Sequence, residues 1–243
     1  MRKNYKWEDA IDKNDVISLV RFCKDHLDLD NIELSSEYGY PNVPLCIIDA
    51  VFSIGVRYTS TQNTVSRFCE FLGGIHDSES DRSTSSSQLS VSDFIWMYDK
   101  YGIEGMAERV YGNRQRTSVR SGILKAEAAL LFAKTLSRFG IEYINDVEKL
   151  IGNREFEGEI MNIPGQRSGL SLRYFYMLTG SENLVKPDRM INRFVSSAIG
   201  RQYGLDETTK LLVKACEILK EEYPGLTPRL LDNSIWKYQR NQR

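Results

Sequence analysis

Along this chain apolar side chains recur every three or four residues, as in Val16, Leu19, Val20 and Cys23, in Ile47, Val51 and Ile54, and in Leu124, Ala128, Leu131 and Leu136. That spacing gathers them on one face of an α-helix. Sustained alternation of period two is missing, so the pattern predicts an all-α protein of about ten helices with little or no sheet. Turn residues punctuate it at Gly39-Tyr40-Pro41, Gly73-Gly74, Gly102, Gly112-Asn113, Gly140, Pro164-Gly165, Gly180, Pro187, Gly204 and Pro224-Gly225, which keeps most connections short. Residues 76–90 are the exception: seven serines and no Phe, Trp or Tyr leave nothing to bury, which predicts a flexible loop. The periodicity is alike on both sides of it, so the loop does not mark a domain boundary.

Composition narrows the class. At 243 residues, 41% hydrophobic and 27% charged, the chain makes one large domain or two small ones sharing a core. No run of about 18 apolar residues occurs, and the opening MRKNYKWEDA lacks the apolar segment of a secretion signal, so a cytoplasmic protein is expected. Cys23, Cys46, Cys69 and Cys216 fall in separate helical segments without a CxxC pair, and are expected as buried free thiols; no metal, iron–sulfur centre or other cofactor is expected. With only His26 and His76, a histidine-based hydrolytic triad is poorly supported. The 32 basic and 33 acidic side chains exclude a uniformly basic nucleic-acid binder. The distribution is uneven, however: residues 109–125 carry Arg109, Arg114, Arg116, Arg120 and Lys125 with no acid, and residues 163–201 carry six basic against two acidic side chains. Two such stretches can build one electropositive face on a near-neutral chain.

The segment Glu159–Gly180, EIMNIPGQRSGLSLRYFYMLTG, predicts a short helix ending near Met161, a tight turn at Ile163-Pro164-Gly165 and a second helix opening at Ser168, a good N-cap residue. The result is a helix-hairpin-helix. The first amides of its second helix have no partner within the helix and lie at the positive end of the helix dipole, so they can hold a phosphate without reading sequence. Among the aromatic residues Phe94, Trp96, Tyr98, Tyr101, Tyr174 and Tyr176, core packing is expected for most. Tyr174 and Tyr176 point to opposite sides of their helix.

Downstream comes Val185–Phe194, VKPDRMINRF. The order Ile-Pro-Gly, helix, Gly180, short link and then an Asp opening a new helix resembles the helix-hairpin-helix DNA glycosylase superfamily, of endonuclease III-like fold. The resemblance covers about residues 45–200, with Leu45–Tyr58 and Thr61–Phe68 similar to the family's paired barrel helices and Gly112–Lys125 to the approach to the hairpin. It implies two helical lobes, 42–180 with the hairpin and 1–41 plus 184–243, and a cleft between them. It implies that Asp188 is the catalytic carboxylate, a role compatible with capping its helix, and that Arg193 is the arginine one turn on. DNA-binding residues implied are Gly165, Arg167, Ser168, Gly169, Lys186 and Arg189. Gly55 stands where many members carry a base-replacing glutamine, leaving that task to Arg57 or Tyr58. The hairpin's usual second glycine is Arg167. Gly169 stands where bifunctional members place a lysine, and no cysteine cluster follows, so the resemblance is to the monofunctional type without an iron–sulfur cluster. The implied partner is double-stranded DNA carrying a damaged or modified base, met by a cytoplasmic, nucleoid-associated monomer. The alternative is a non-catalytic helix-hairpin-helix DNA-binding or scaffold protein in which Asp188 only caps a helix.

Overall fold

A computed structural model describes residues 11–34, 39–78 and 89–242. The fold is all-α. Ten α-helices follow one another among the described residues: α1 Lys13–His26, α2 Val43–Phe52, α3 Tyr58–Ser78, α4 Val91–Gly105, α5 Lys125–Arg138, α6 Arg154–Asn162, α7 Leu170–Leu178, α8 Arg189–Ile199, α9 Leu205–Leu219 and α10 Pro228–Asn241. A π-helical turn, Met106–Val110, extends α4, and a 3-10 turn, Ile144–Leu150, precedes α6. No strand occurs among the described residues, although Arg116 and Leu124 form an isolated antiparallel bridge. The serine-rich loop expected over 76–90 lies for the most part outside the described residues.

The chain divides into two compact units, 37–180 and 1–36 with 181–243. In the first, α2 is the central rod: all ten of its residues are buried, and it packs on α3, α5 and α7. A helix apolar all round has no solvent face to present, which is why VPLCIIDAVF sits inside. Asn42 caps it by accepting the Leu45 amide at 3.1 Å. In the second unit α1 packs on α8 and α9, and α10 on the same two helices. Val16, Leu19, Ile191, Phe194, Leu212, Leu231 and Ile235 belong to its core.

Two expectations need correction. Cys69 is exposed while the other three thiols are buried; all four are free. The buried face of α3 runs through Thr61, Thr64, Val65, Phe68 and Leu72, and Cys69 lies one residue, about 100°, off that stripe. The second helix, expected to open at Ser168, is the nine-residue α7 starting at Leu170, because a longer turn than Ile163-Pro164-Gly165 uses up its start.

Candidate functional site

Asp188 is half-buried and caps α8, its Oδ1 accepting the amides of Met190 at 2.7 Å and Ile191 at 3.2 Å. Both cap bonds end on one oxygen, and Oδ2 takes no hydrogen bond among the described residues. The approach is a three-residue turn: the Asp188 amide donates to the Lys186 carbonyl at 2.6 Å across Pro187. The ring of proline fixes φ near −65°, close to what the middle residue of such a turn adopts. The Asn192 side chain closes the turn from α8 by donating to the Pro187 carbonyl at 2.9 Å.

From α10, Asp232 accepts the Lys186 amide at 2.8 Å. Burial, and next the negative charge of Asp188, push the Asp232 carboxyl well above the usual carboxylate range, against the smaller pull of the Lys186 amide and ammonium. Its neighbour Asn233 is 1% exposed, and neither of its amide atoms has a hydrogen-bond partner among the described residues. Arg229, one turn before Asn233, pairs with Glu182 at 2.9 Å. Lys186, expected at a phosphate, is buried with Val185 and Pro187, because the link runs inward to meet α10. Arg189 is exposed. Arg193 donates to the side chain and carbonyl of Gln239, which ties α8 to the end of α10.

In the other unit, α6 and α7 are joined by two consecutive turns, with the Gln166 amide bonding the Ile163 carbonyl and the Gly169 amide the Gln166 carbonyl, both at 2.9 Å. Pro164 followed by Gly165 at φ +88° is the sequence of a type II turn. Gly169, not Ser168, caps α7, in the left-handed conformation at φ +69°. The Ser168 hydroxyl still accepts the Leu170 amide, at 3.4 Å. Gly165, Arg167 and Ser168 are exposed, whereas Gly169 is buried.

The cationic stretch 109–125 comes to this turn. Its loop is pinched shut by the Thr117 amide on the Ile123 carbonyl at 2.9 Å and the Lys125 amide on the Gln115 carbonyl at 2.8 Å. The Thr117 side chain is packed so closely on Gly165 that a Cβ there would lie 2.3 Å from the Thr117 Cβ. Arg116, next to Thr117 in the chain, is therefore carried near the turn at Gly165, and both Arg116 and Arg120 are exposed. Neither Arg114 nor Lys125 joins them, and Arg109 lies on the π-helical turn near Gly105. Arg114 pairs with Glu104 and Glu108, and Lys125 is buried, its ammonium capping the end of α2 by donating to the Phe52 and Ile54 carbonyls at 2.8 Å each.

Of the two residues expected to fill the space of an extruded base, Arg57 is exposed and Tyr58 half-buried. The Tyr58 hydroxyl turns inward to Asp49, whose Oδ2 accepts from Tyr40 at 3.0 Å, Tyr58 at 3.5 Å and Tyr174 at 3.2 Å. Asp49 is fully buried on α2 and gathers three phenols from three parts of the chain. Its charge, added to the larger effect of burial, raises the Tyr40 hydroxyl far above its usual range. Asp49→Ala is expected to lower the unfolding free energy by about 3 kcal/mol, since it leaves phenols without their acceptor in the interior. Denaturant unfolding with an unchanged m value checks this. The remaining aromatic candidates are mostly core: Phe94, Tyr98, Tyr174 and Tyr176 are buried, the last donating to the Leu150 carbonyl at 3.0 Å, while Trp96 is exposed under the Lys100 ammonium.

Asp49, Asp232 and Asn233 are not among the residues the sequence marks for a site, and Lys125 is marked only as part of the cationic stretch. Asp49 had a signal, a lone carboxylate inside the apolar run LCIIDAVF; Asp232 and Asn233 had only their place between Leu231 and Ile235. No group of three or more His, Cys, Asp or Glu side chains among the described residues is placed to hold a metal ion, and no described helix is long and apolar enough to cross a membrane. No curated protein and no solved structure matches the chain. Over residues 17–240 it matches the profile of a domain of unknown function, DUF8548, and it belongs to that family.

Proposed function

We propose that this chain is a monofunctional DNA glycosylase of the helix-hairpin-helix type, which extrudes a damaged or modified base from duplex DNA and hydrolyses its N-glycosidic bond. The observation that carries the reading is Asp188 itself: a half-buried carboxylate held by a proline turn and two helix amides on one oxygen, with the other left over. A glycosidic bond breaks with the electron pair leaving on the base, and the sugar becomes oxocarbenium-like. A fixed carboxylate stabilises that positive charge and takes the proton of the water that adds to the sugar carbon.

The turn 163–169 and the amides opening α7 hold backbone phosphate, helped by Arg167 and by the neighbouring Arg116 and Arg120. Arg189 adds a cation at the start of α8, while buried Lys186 is left out of the phosphate set. Arg57 fills the vacated space in the duplex, because the Tyr58 hydroxyl is engaged by Asp49. No lyase step accompanies base release: Gly169 occupies a left-handed backbone position that disfavours a lysine as well as lacking its amine.

The test is a panel of duplexes, each with one modified base. Incubation with the protein is expected to yield strands that break only after alkali, and borohydride is expected to trap no covalent complex. Breakage without alkali, with a trapped adduct, would overturn the monofunctional assignment. Duplex binding with no base released from any member would favour the alternative of a non-catalytic helix-hairpin-helix DNA-binding or scaffold protein, in which the α8 cap is the whole role of Asp188.

A further inference from the structure

We propose that Asp232 is a positioning residue for Asp188, fixing the Lys186-Pro187-Asp188 turn from α10 through the Lys186 amide. The inference rests on the reading of Asp188 as the catalytic carboxylate. Three independent ties converge on this turn: Asp232 on the Lys186 amide at 2.8 Å, the Asn192 side chain on the Pro187 carbonyl at 2.9 Å, and the internal bond across Pro187 at 2.6 Å. Asn192 is itself held from α9, its side-chain oxygen accepting the Thr208 hydroxyl at 2.7 Å. Asp232 alone among these brings an ionisable group to the turn, and it is fully buried there.

A carboxyl in that place is not the simplest anchor, since a buried amide or hydroxyl would accept the same N–H. What it adds is a proton. Next to Asp188, a second carboxylate would concentrate like charge, and the less solvated of the two holds its proton more tightly. Desolvation and the charge of Asp188 act on Asp232 in that direction. The charged groups acting on Asp232 are Asp188 and Lys186, at the start of α8 and on the link; Arg229 and Glu182, paired with each other, complete the charged set at this end of α10.

The experiment compares native protein with Asp232→Asn and Asp232→Leu. Asparagine keeps the oxygen that accepts the Lys186 amide and removes the proton; leucine removes both. A carboxyl whose folded value is raised stabilises the fold fully below the unfolded carboxylate range, and loses that contribution as pH climbs toward the folded value. Native protein is therefore expected to show an unfolding constant that rises as pH climbs above the ordinary carboxylate range, by up to about tenfold per pH unit, relative to Asp232→Asn. Base release from the duplex that the modified-base panel identifies is expected to stay within about threefold of native in Asp232→Asn and to fall about 30- to 100-fold in Asp232→Leu, with kcat carrying the loss, because a displacement of order 1 Å is that damaging to a reacting group. Amide exchange at Lys186 should quicken in Asp232→Leu only.

Equal pH dependence in native and Asp232→Asn protein would overturn the protonated anchor. Native rates in Asp232→Leu, or an Asp232→Asn variant as impaired as Asp232→Leu, would overturn the positioning role. The unfolding and amide-exchange measurements need no DNA, so they stand whether or not any base is released, and failure of the glycosylase reading is told apart from failure of this one.

Discussion

Asp188→Asn is expected to lower base release by about 10³-fold or more, equivalent to about 4 kcal/mol of transition-state stabilisation, while leaving the fold and DNA affinity within a few-fold of native. Asparagine is as good an N-cap as aspartate, and its oxygen can accept the Met190 and Ile191 amides now bonded by Oδ1. Only the charge is removed. A sugar that becomes positive in the transition state and not before loses its stabilisation, so kcat should carry the loss and the binding constant should not. Binding could even tighten, since a negative group near phosphates is removed. Asp188→Ala supplies the contrast: it loses charge and cap together, adding about 1 kcal/mol of destabilisation that thermal unfolding would register. Single-turnover base release and duplex titration on both variants separate the roles. Near-native release by Asp188→Asn would leave the cap as the residue's whole function.

The sequence shows some of this and conceals the rest, for physical reasons that differ by residue. Helix type and order follow from a period of 3.6, which is local, and the caps at Asn42, Ser90 and Asp188 are readable because capping needs only the next three residues. The Pro164-Gly165 turn is readable for the same reason. Asp232 is not: its importance comes from meeting an amide 46 residues earlier in the chain, and no local pattern separates it from an ordinary polar position on α10. Lys186 and Lys125 escape a local reading in the same way. A basic residue in a basic stretch suggests a solvated cation, but one is carried inside by its link and the other is drawn to the carbonyl end of α2, where a cation suits the helix dipole. Charge counts along a sequence therefore overstate the cationic face. Only packing says which cations stay at the surface, and Arg116, Arg120 and Arg167 do.

Gly165→Ala should be among the most destabilising single changes in the unit 37–180, by about 3 kcal/mol, and should impair duplex binding as well. Two causes add. At φ +88° an alanine carries a penalty of about 1–2 kcal/mol that glycine escapes. Its Cβ would also lie 2.3 Å from the Cβ of Thr117 and 2.8 Å from its hydroxyl oxygen, a contact that no side-chain rotation relieves, because a Cβ is fixed by its own backbone. Either the turn at Gly165 or the pinched loop must move, and each carries groups proposed to hold phosphate. A double-mutant cycle with Thr117→Gly divides the two causes. Removing the Thr117 Cβ should restore about 1–2 kcal/mol to the Gly165→Ala background, a coupling in the range measured for residues in contact, and leave the backbone penalty behind. Denaturant unfolding gives the energies, and the salt dependence of duplex binding shows whether phosphate contacts return with them. Coupling near zero would mean that the loop yields freely and that Arg116 and Arg120 are not held in register with the turn.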